Sequence, residues 1–410
     1  MRFTFQPEEF LVEEILSDGT ILELDKPFKR EDKPGKFTHF VMQKRSWNTH
    51  QALEAIGHAL HVPQSRFNFA GTKDRNATTV QLCSVFAVHP TRVLGAKVKD
   101  VMILGAWNAS DKVRLGDLAG NRFTITLLPR NCGQAVDVHD LEERAEEMNG
   151  LVPNYFGEQR FGSLRQNNHH IGKLMLQGKF KEAVLNFLTY TDENEESASR
   201  EARLKLEKDL DKDKGFAKAL DYFPHYLKYE RQIIAHLNVY TKDYIGAFRK
   251  LPRTLQLMFV HSYQSFLFNK LLAEREKSGK LFTAQKGDHY CYQNHAGFPD
   301  VEEVEVVKNA KAAASVSKKI IEGKAFLAGT ILGSESKPNS QEKALLKKEK
   351  IDLKQFKLEG MPELASKGGT RALFVPLKEF HTVKDAPSTI RFSLPSGAYA
   401  TVAVEQLLKN

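Results

Sequence analysis

The sequence predicts an α+β fold in which a strand-rich domain is split by a long, mostly helical segment. Two observations carry this. Alternating apolar and polar residues, the period of a half-buried strand, recur in the first 130 residues and return at 372–377 and 389–394. Between them, residues 165 to 275 follow helical periodicity. A chain of 410 residues with 41% hydrophobic content has room for two or three domains. Strands at both ends with helices between are most economically one interrupted domain. The expected division is a first core part at 1–153, an insertion at 154–366 and a C-terminal core part at 367–410.

The elements follow in order. Met1-Arg2-Phe3-Thr4-Phe5-Gln6 has no signal-peptide apolar core, so a cytoplasmic location is expected. Phe37 to Lys44 alternates as a strand. Trp47 to Leu60 suits a helix, with Leu53, Ile56 and Leu60 at i, i+3 and i+7, Asn48 as its cap and Gln51 at the capping-box position. Phe67 to Phe69 reads as a strand end before a glycine turn. Val80, Leu82 and Phe86 then share a strand face with Ser84. In Asn121 to Leu128, Phe123, Ile125 and Leu127 alternate with Arg122, Thr124 and Thr126, and Pro129-Arg130-Asn131 ends the strand. Asp140 to Met148 is a polar helix. The mixed charges of Thr191 to Gly215 suggest a solvated helix pair or a mobile surface segment. Gly333 to Lys357 reads as an exposed connection, and Ser396 as the cap of a last helix through Leu408. There is no internal repeat.

Composition narrows the function. A net charge of +9 favours a polyanionic partner such as nucleic acid, without choosing RNA over DNA. Cys83, Cys132 and Cys291 are far apart and odd in number, which suggests neither a disulfide framework nor a zinc site and fits a reducing compartment. His58, His61, His169 and His170 lack partners at ligand spacing, so no metal is expected. No apolar run reaches the ~18 residues of a membrane span.

The most informative stretch is Phe69-Ala70-Gly71-Thr72-Lys73-Asp74-Arg75, followed by Ala77-Thr78-Thr79-Val80-Gln81. It presents an aspartate at a sharp corner between two cations, which keep it ionised. That suits a carboxylate nucleophile facing an anionic substrate. The commoner meaning of such a turn is a solvated salt bridge. A P-loop is excluded, because the G-x-x-x-x-G-K-[ST] spacing is absent.

The segment resembles the catalytic motif of the TruD family of tRNA pseudouridine synthases. Six further blocks match that family in order: Pro7 to Glu14, Gly120-Asn121-Arg122-Phe123, Val152 to Gly162, His261 to Asn269, Gly368 to Leu373, and Phe392 to Thr401. The resemblance implies a pseudouridine synthase core with a mixed, mainly antiparallel sheet and a family-specific helical insertion. It implies an RNA-uridine isomerase acting on tRNA, at uridine 13 in much of the family, with Asp74 as the catalytic carboxylate. It also implies that Phe123 lays its ring on the target base while Asn121 holds the nucleotide; from the residues alone, Phe123 is a core residue beside Ile125 and Leu127.

Lys73 and Arg75 are further candidates for substrate binding. Tyr155 and Arg160 have an RNA-contact composition and equally suit a hinge that packs the insertion on the core. Arg371 suits a phosphate contact or a structural ion pair. His261, Tyr263 and Gln264 are read as structural. The reaction needs no redox cofactor, metal or ATP. The expected partner is tRNA, with no membrane and no nucleotide cofactor, and a monomer is favoured. The family commonly has Lys three residues before its Pro-Glu-Asp-Phe motif, where this chain has Thr4. Arg2 and Arg75 are the candidate replacements. The competing reading is a non-catalytic basic RNA-binding protein that kept the fold.

Overall fold

The computed structural model describes residues 3–133, 135–162, 164–211, 215–383 and 388–409. Its strands are β1 (Phe10–Leu16), β2 (Phe37–Arg45), β3 (Phe67–Phe69), β4 (Thr78–Phe86), β5 (Val101–Ala109), β6 (Leu118–Thr126) and β7 (Leu151–Pro153). Then come β8 (His289–Tyr292), β9 (Glu305–Val306), β10 (Ala325–Ile331), β11 (Gly369–Ala372), β12 (Phe374–Pro376), β13 (Lys378–Thr382) and β14 (Thr389–Pro395).

The two ends of the chain meet in one eight-stranded sheet of order β13-β14-β6-β1-β4-β2-β5, with β3 paired to β4. Among the described residues of this sheet, only β1 and β4 pair in parallel; its other pairs are antiparallel. The sheet is therefore mixed and mainly antiparallel, as expected. Register follows the apolar pattern, since a slip of one residue would turn every buried side chain outward. In β6, Phe123 faces Val12 of β1 and Phe392 of β14, and Asn121 faces Glu14 and Leu394. Phe10, Val12, Phe123, Ile125 and Phe392 form a core with the helices Val138–Glu147 and Ala400–Leu408. Helix α1 (Thr49–Leu60) buries Leu53, Ile56 and Leu60 against Phe40, Met42, Cys83 and Val85 elsewhere on the sheet. Asn48 caps α1 by accepting the Gln51 amide N–H.

The middle of the chain is largely helical, as expected. Its core gathers around the 25-residue helix Arg253–Lys277. It also contains a four-stranded sheet, β11-β10-β8-β9, whose short strands the helical reading passed over. A two-stranded ribbon, β7 with β12, lies where the chain leaves and re-enters the large sheet.

Four local expectations are corrected. Among the described residues of 191–215 there is one helix, Ser197–Asp211, and it is anchored rather than merely solvated. Its Arg203 is 1% exposed and bonds Glu195 at 3.0 Å and Glu230 at 2.7 Å. Gly333 to Lys357 contains the helix Ser340–Glu349, which buries Leu345 and Leu346. A stripe of two leucines among lysines is too narrow to stand out in sequence. The last helix begins at Ala400 with no side-chain cap, so Ser396 lies in the preceding turn. The strand expected at 372–377 breaks at Leu373 and serves two sheets.

Candidate active site

The turn between β3 and β4 is held from three sides. Gln81 donates its amide to the Gly71 carbonyl at 3.0 Å. Thr49, the first residue of α1, donates its hydroxyl to Gln81 Oε1 at 3.0 Å and accepts the Lys73 backbone N–H at 2.9 Å. Lys44 Nζ donates to the Asp74 carbonyl at 2.8 Å and to the Trp47 carbonyl at 2.6 Å. A loop with its polar backbone satisfied in this way has one conformation, so the Asp74 carboxylate is aimed by the fold rather than left to sample solvent.

That carboxylate opens into a cleft of about 520 Å³, lined also by Gly71, Lys73, Asn121, Phe123, Gln159 and the segment Ser396–Thr401. Four widely separated parts of the sequence thus converge. The Asp74 side chain reaches solvent at the cleft, but protein crowds the rest of it. Burial raises its pKa above the ordinary aspartate value, while Lys44 and Lys73 pull it down. Burial pushes the Lys44 ammonium down to about 8, with Asp74 opposing.

Lys73 is buried and donates to Asn121 Oδ1 at 2.7 Å while pairing with Glu14 at 2.6 Å. A lysine has only donors, so this contact fixes the amide orientation of Asn121. The Asn121 Nδ2 hydrogens then have no protein partner among the described residues and can face a ligand in the cleft. Phe123 touches the cleft but is only 6% exposed, with its ring between Phe10 at 5.9 Å and Phe392 at 5.8 Å.

Arg371 stands behind one wall and holds it through Gly397. Its guanidinium donates to the Asn154 carbonyl at 3.1 Å, to Asn154 Oδ1 at 2.6 Å and to the Gly397 carbonyl at 3.0 Å, over the Phe156 ring. Burial pushes its pKa down to about 10. It makes no ion pair with a described residue; its donors go to backbone carbonyls and Asn154, so in the fold it brackets the Gly397 turn. Tyr155 and Arg160 do not line the cleft. Tyr155 donates to Glu276 at 2.5 Å, and Arg160 donates to Ser265 at 3.0 Å. Asn269 exchanges two bonds with the Phe156 backbone. The blocks at 152–162, 261–269 and 368–373 therefore clamp one another.

Arg75 turns to a separate concavity beside α1. Arg2 lies outside the described residues. Thr4 is exposed and gives its backbone N–H to the Asn131 carbonyl. The cations acting on Asp74 are Lys44 and Lys73. Sequence reasoning missed Lys44, Thr49 and Glu14 as supports of the site. Lys44 carried a signal, because it continues the inward register of Phe40 and Met42 on β2. Thr49 carried none.

The family model for tRNA pseudouridine synthase D (TruD) matches residues 1–407. Among curated relatives, a probable tRNA pseudouridine synthase D of Methanosarcina barkeri is 33% identical over 98% of this chain and 92% of its own length. One of Archaeoglobus fulgidus is 34% identical over 99% of this chain and 94% of its own length. The crystal structure of a putative tRNA pseudouridine synthase D from Methanosarcina mazei superposes with a TM-score of 0.75 at 31% identity, covering 100% of this chain and 93% of that one.

Proposed function

The chain belongs to the TruD family of tRNA pseudouridine synthases, and from that premise we propose that it isomerises uridine 13 of tRNA to pseudouridine with Asp74 as the catalytic carboxylate. The observation that carries the assignment is the convergence on one cleft of Asp74, the outward donors of Asn121 and an edge of Phe123.

The target uridine leaves its stack and enters the cleft. The Asn121 amide donates to a uracil carbonyl, which tells uracil from a base with an amino group there. Phe123 meets the ring. Ionised Asp74 starts cleavage of the N1–C1′ bond, either by attack on C1′ or by removing a ribose proton to give a glycal. The freed uracil turns and rejoins C1′ through C5. As the C5–C1′ bond replaces the N1–C1′ bond, C5 loses its proton and the freed N1 takes one up, so the product is an isomer and no oxidant or reductant is needed. Lys73 holds Asn121, and Lys44 holds the main chain of Asp74.

We also read residues 154–366 as the insertion. Pairing of β7 with β12 supports this, because it sets the outgoing and returning chain side by side.

The test is pseudouridine mapping of a full tRNA pool with wild type and Asp74→Asn. Wild type should modify uridine 13. Asp74→Asn should form no detectable product yet still bind tRNA, since phosphate contacts supply most of the affinity. Comparable product from Asp74→Asn would refute the catalytic assignment. Product at another position would overturn only the choice of uridine 13. Tight binding with no product from wild type would favour a non-catalytic RNA-binding protein.

A further inference from the structure

A second concavity, of about 460 Å³, lies next to the catalytic cleft and has no part in the reaction described above. Gln51, Glu54, Ala55 and His58 line it from one face of α1, Trp47 from the segment before that helix, and Arg75 from the catalytic turn. The Trp47 ring is half-buried, and its indole N–H donates to the Lys99 carbonyl at 3.1 Å, so its plane is held. Arg75 is exposed and makes no hydrogen bond or ion pair with any described residue. An immobilised aromatic surface, a guanidinium with free donors and the Gln51 amide are the three kinds of group that hold an unstacked nucleotide: ring on ring, cation on phosphate, amide on base edge.

The two concavities are joined through the chain. Asp74 lines one and Arg75 the other, and consecutive Cα atoms are only ~3.8 Å apart. Lys44 Nζ ties the Trp47 carbonyl to the Asp74 carbonyl. The Glu54 carboxylate, 4.0 Å from His58 Nε2, disfavours phosphate on the α1 side and leaves Arg75 as the phosphate contact.

We propose that this concavity is a second nucleotide subsite, which takes a nucleotide flanking the target uridine in the same RNA strand, its base against Trp47 and its phosphate on Arg75. The inference rests on the tRNA-modifying reading above. Filling the subsite presses on Trp47, whose carbonyl shares Lys44 with that of Asp74, and on Arg75, the next residue in the chain, so the flanking nucleotide helps to seat the uridine.

The test pairs altered tRNA with altered protein. Transcripts carry either an abasic nucleotide or one neutral methylphosphonate linkage, placed 5′ or 3′ of the modified uridine, and binding is measured for each. For wild type, an abasic site on one side should weaken binding about fivefold or more, in the range of lost base stacking. Trp47→Leu should abolish most of that penalty. A neutral linkage on the same side should weaken wild type but hardly affect Arg75→Ala, whose own salt slope should be smaller by about one. Trp47 packs partly on the core, so the Arg75 arm stands alone if Trp47→Leu does not fold. Equal penalties in wild type and Arg75→Ala on both sides would overturn the subsite while leaving the function intact. A wild type that neither binds nor modifies tRNA would remove the function and the subsite together.

Discussion

Lys44 is a buried ammonium bonded to two carbonyls and acting on one carboxylate, and the pH behaviour of the site follows from that. In the proposed role Asp74 acts as the ionised carboxylate, and burial raises its pKa, so the acidic limb of the rate profile should lie above the ordinary aspartate range. Lys44→Met removes a charge that favours the ionised form. Its acidic limb should therefore move to higher pH, and any fall in wild-type rate as Lys44 deprotonates near pH 8 should vanish. Single-turnover rates across pH for both proteins check this, and an unmoved acidic limb would contradict it. Stability has a definite sign as well. The Lys44 pKa is lowered in the fold to about 8 from 10.5. Between those values the unfolded chain keeps a proton that the native chain has released, so wild type should gain stability relative to Lys44→Met as pH rises through that window. For Phe123, truncation to Ala in such a buried cluster would cost about 3–5 kcal/mol and confuse the reading. Phe123→Leu should cost only ~1–2 kcal/mol, yet lower turnover tenfold or more if the ring meets the base. Thermal unfolding beside single-turnover rates separates the two effects.

At the scale of elements, the cleft depends on how β6 and the Ser396–Thr401 segment are held. Arg371 is the bracket for the latter, using the planar fork of its guanidinium on Asn154 and Gly397 together. Arg371→Lys keeps the charge and loses the fork. It should cost about 1–3 kcal/mol of stability and reduce turnover, as read by denaturant unfolding and product formation. Gly120, beside Asn121 on β6, has no room for a side chain: an added Cβ would lie 2.2 Å from the Leu394 carbonyl and 2.9 Å from the Phe298 ring. Gly120→Ala must push β6 and β14 apart and should cost ~1–3 kcal/mol. Most elements of the large sheet were legible because alternation is local: β2, β6, β14 and α1 lie within a few residues of where periodicity put them. The helix Ser340–Glu349 and strands β8 to β10 were not, since short or lysine-masked patterns take their meaning from what packs on them.

For the molecule as a whole, a net charge of +9 should make tRNA binding steeply salt-dependent, with log affinity falling linearly against log salt. Binding measured across a salt series checks it; a flat response would contradict a phosphate-gripping surface. By itself the sequence determined the α+β class, the split between a strand-rich core and a helical middle, the excess of basic charge and the family. These are properties of local period, composition and ordered motifs, none of which needs to know what touches what. It also singled out Asp74, Asn121 and Phe123, through the motif resemblance: the local pattern alone makes Phe123 a core residue and the Asp74 turn an ordinary salt bridge. Only the tertiary structure decided which distant groups serve them. It put Lys44 rather than Arg75 beside Asp74, paired Lys73 with Glu14 and Asn121, and drew Tyr155, Arg160 and Arg371 into a clamp away from the cleft. The reason is physical: a buried charge or donor must find a partner where the folded chain supplies one, and sheet order, not sequence distance, sets which residues are within reach.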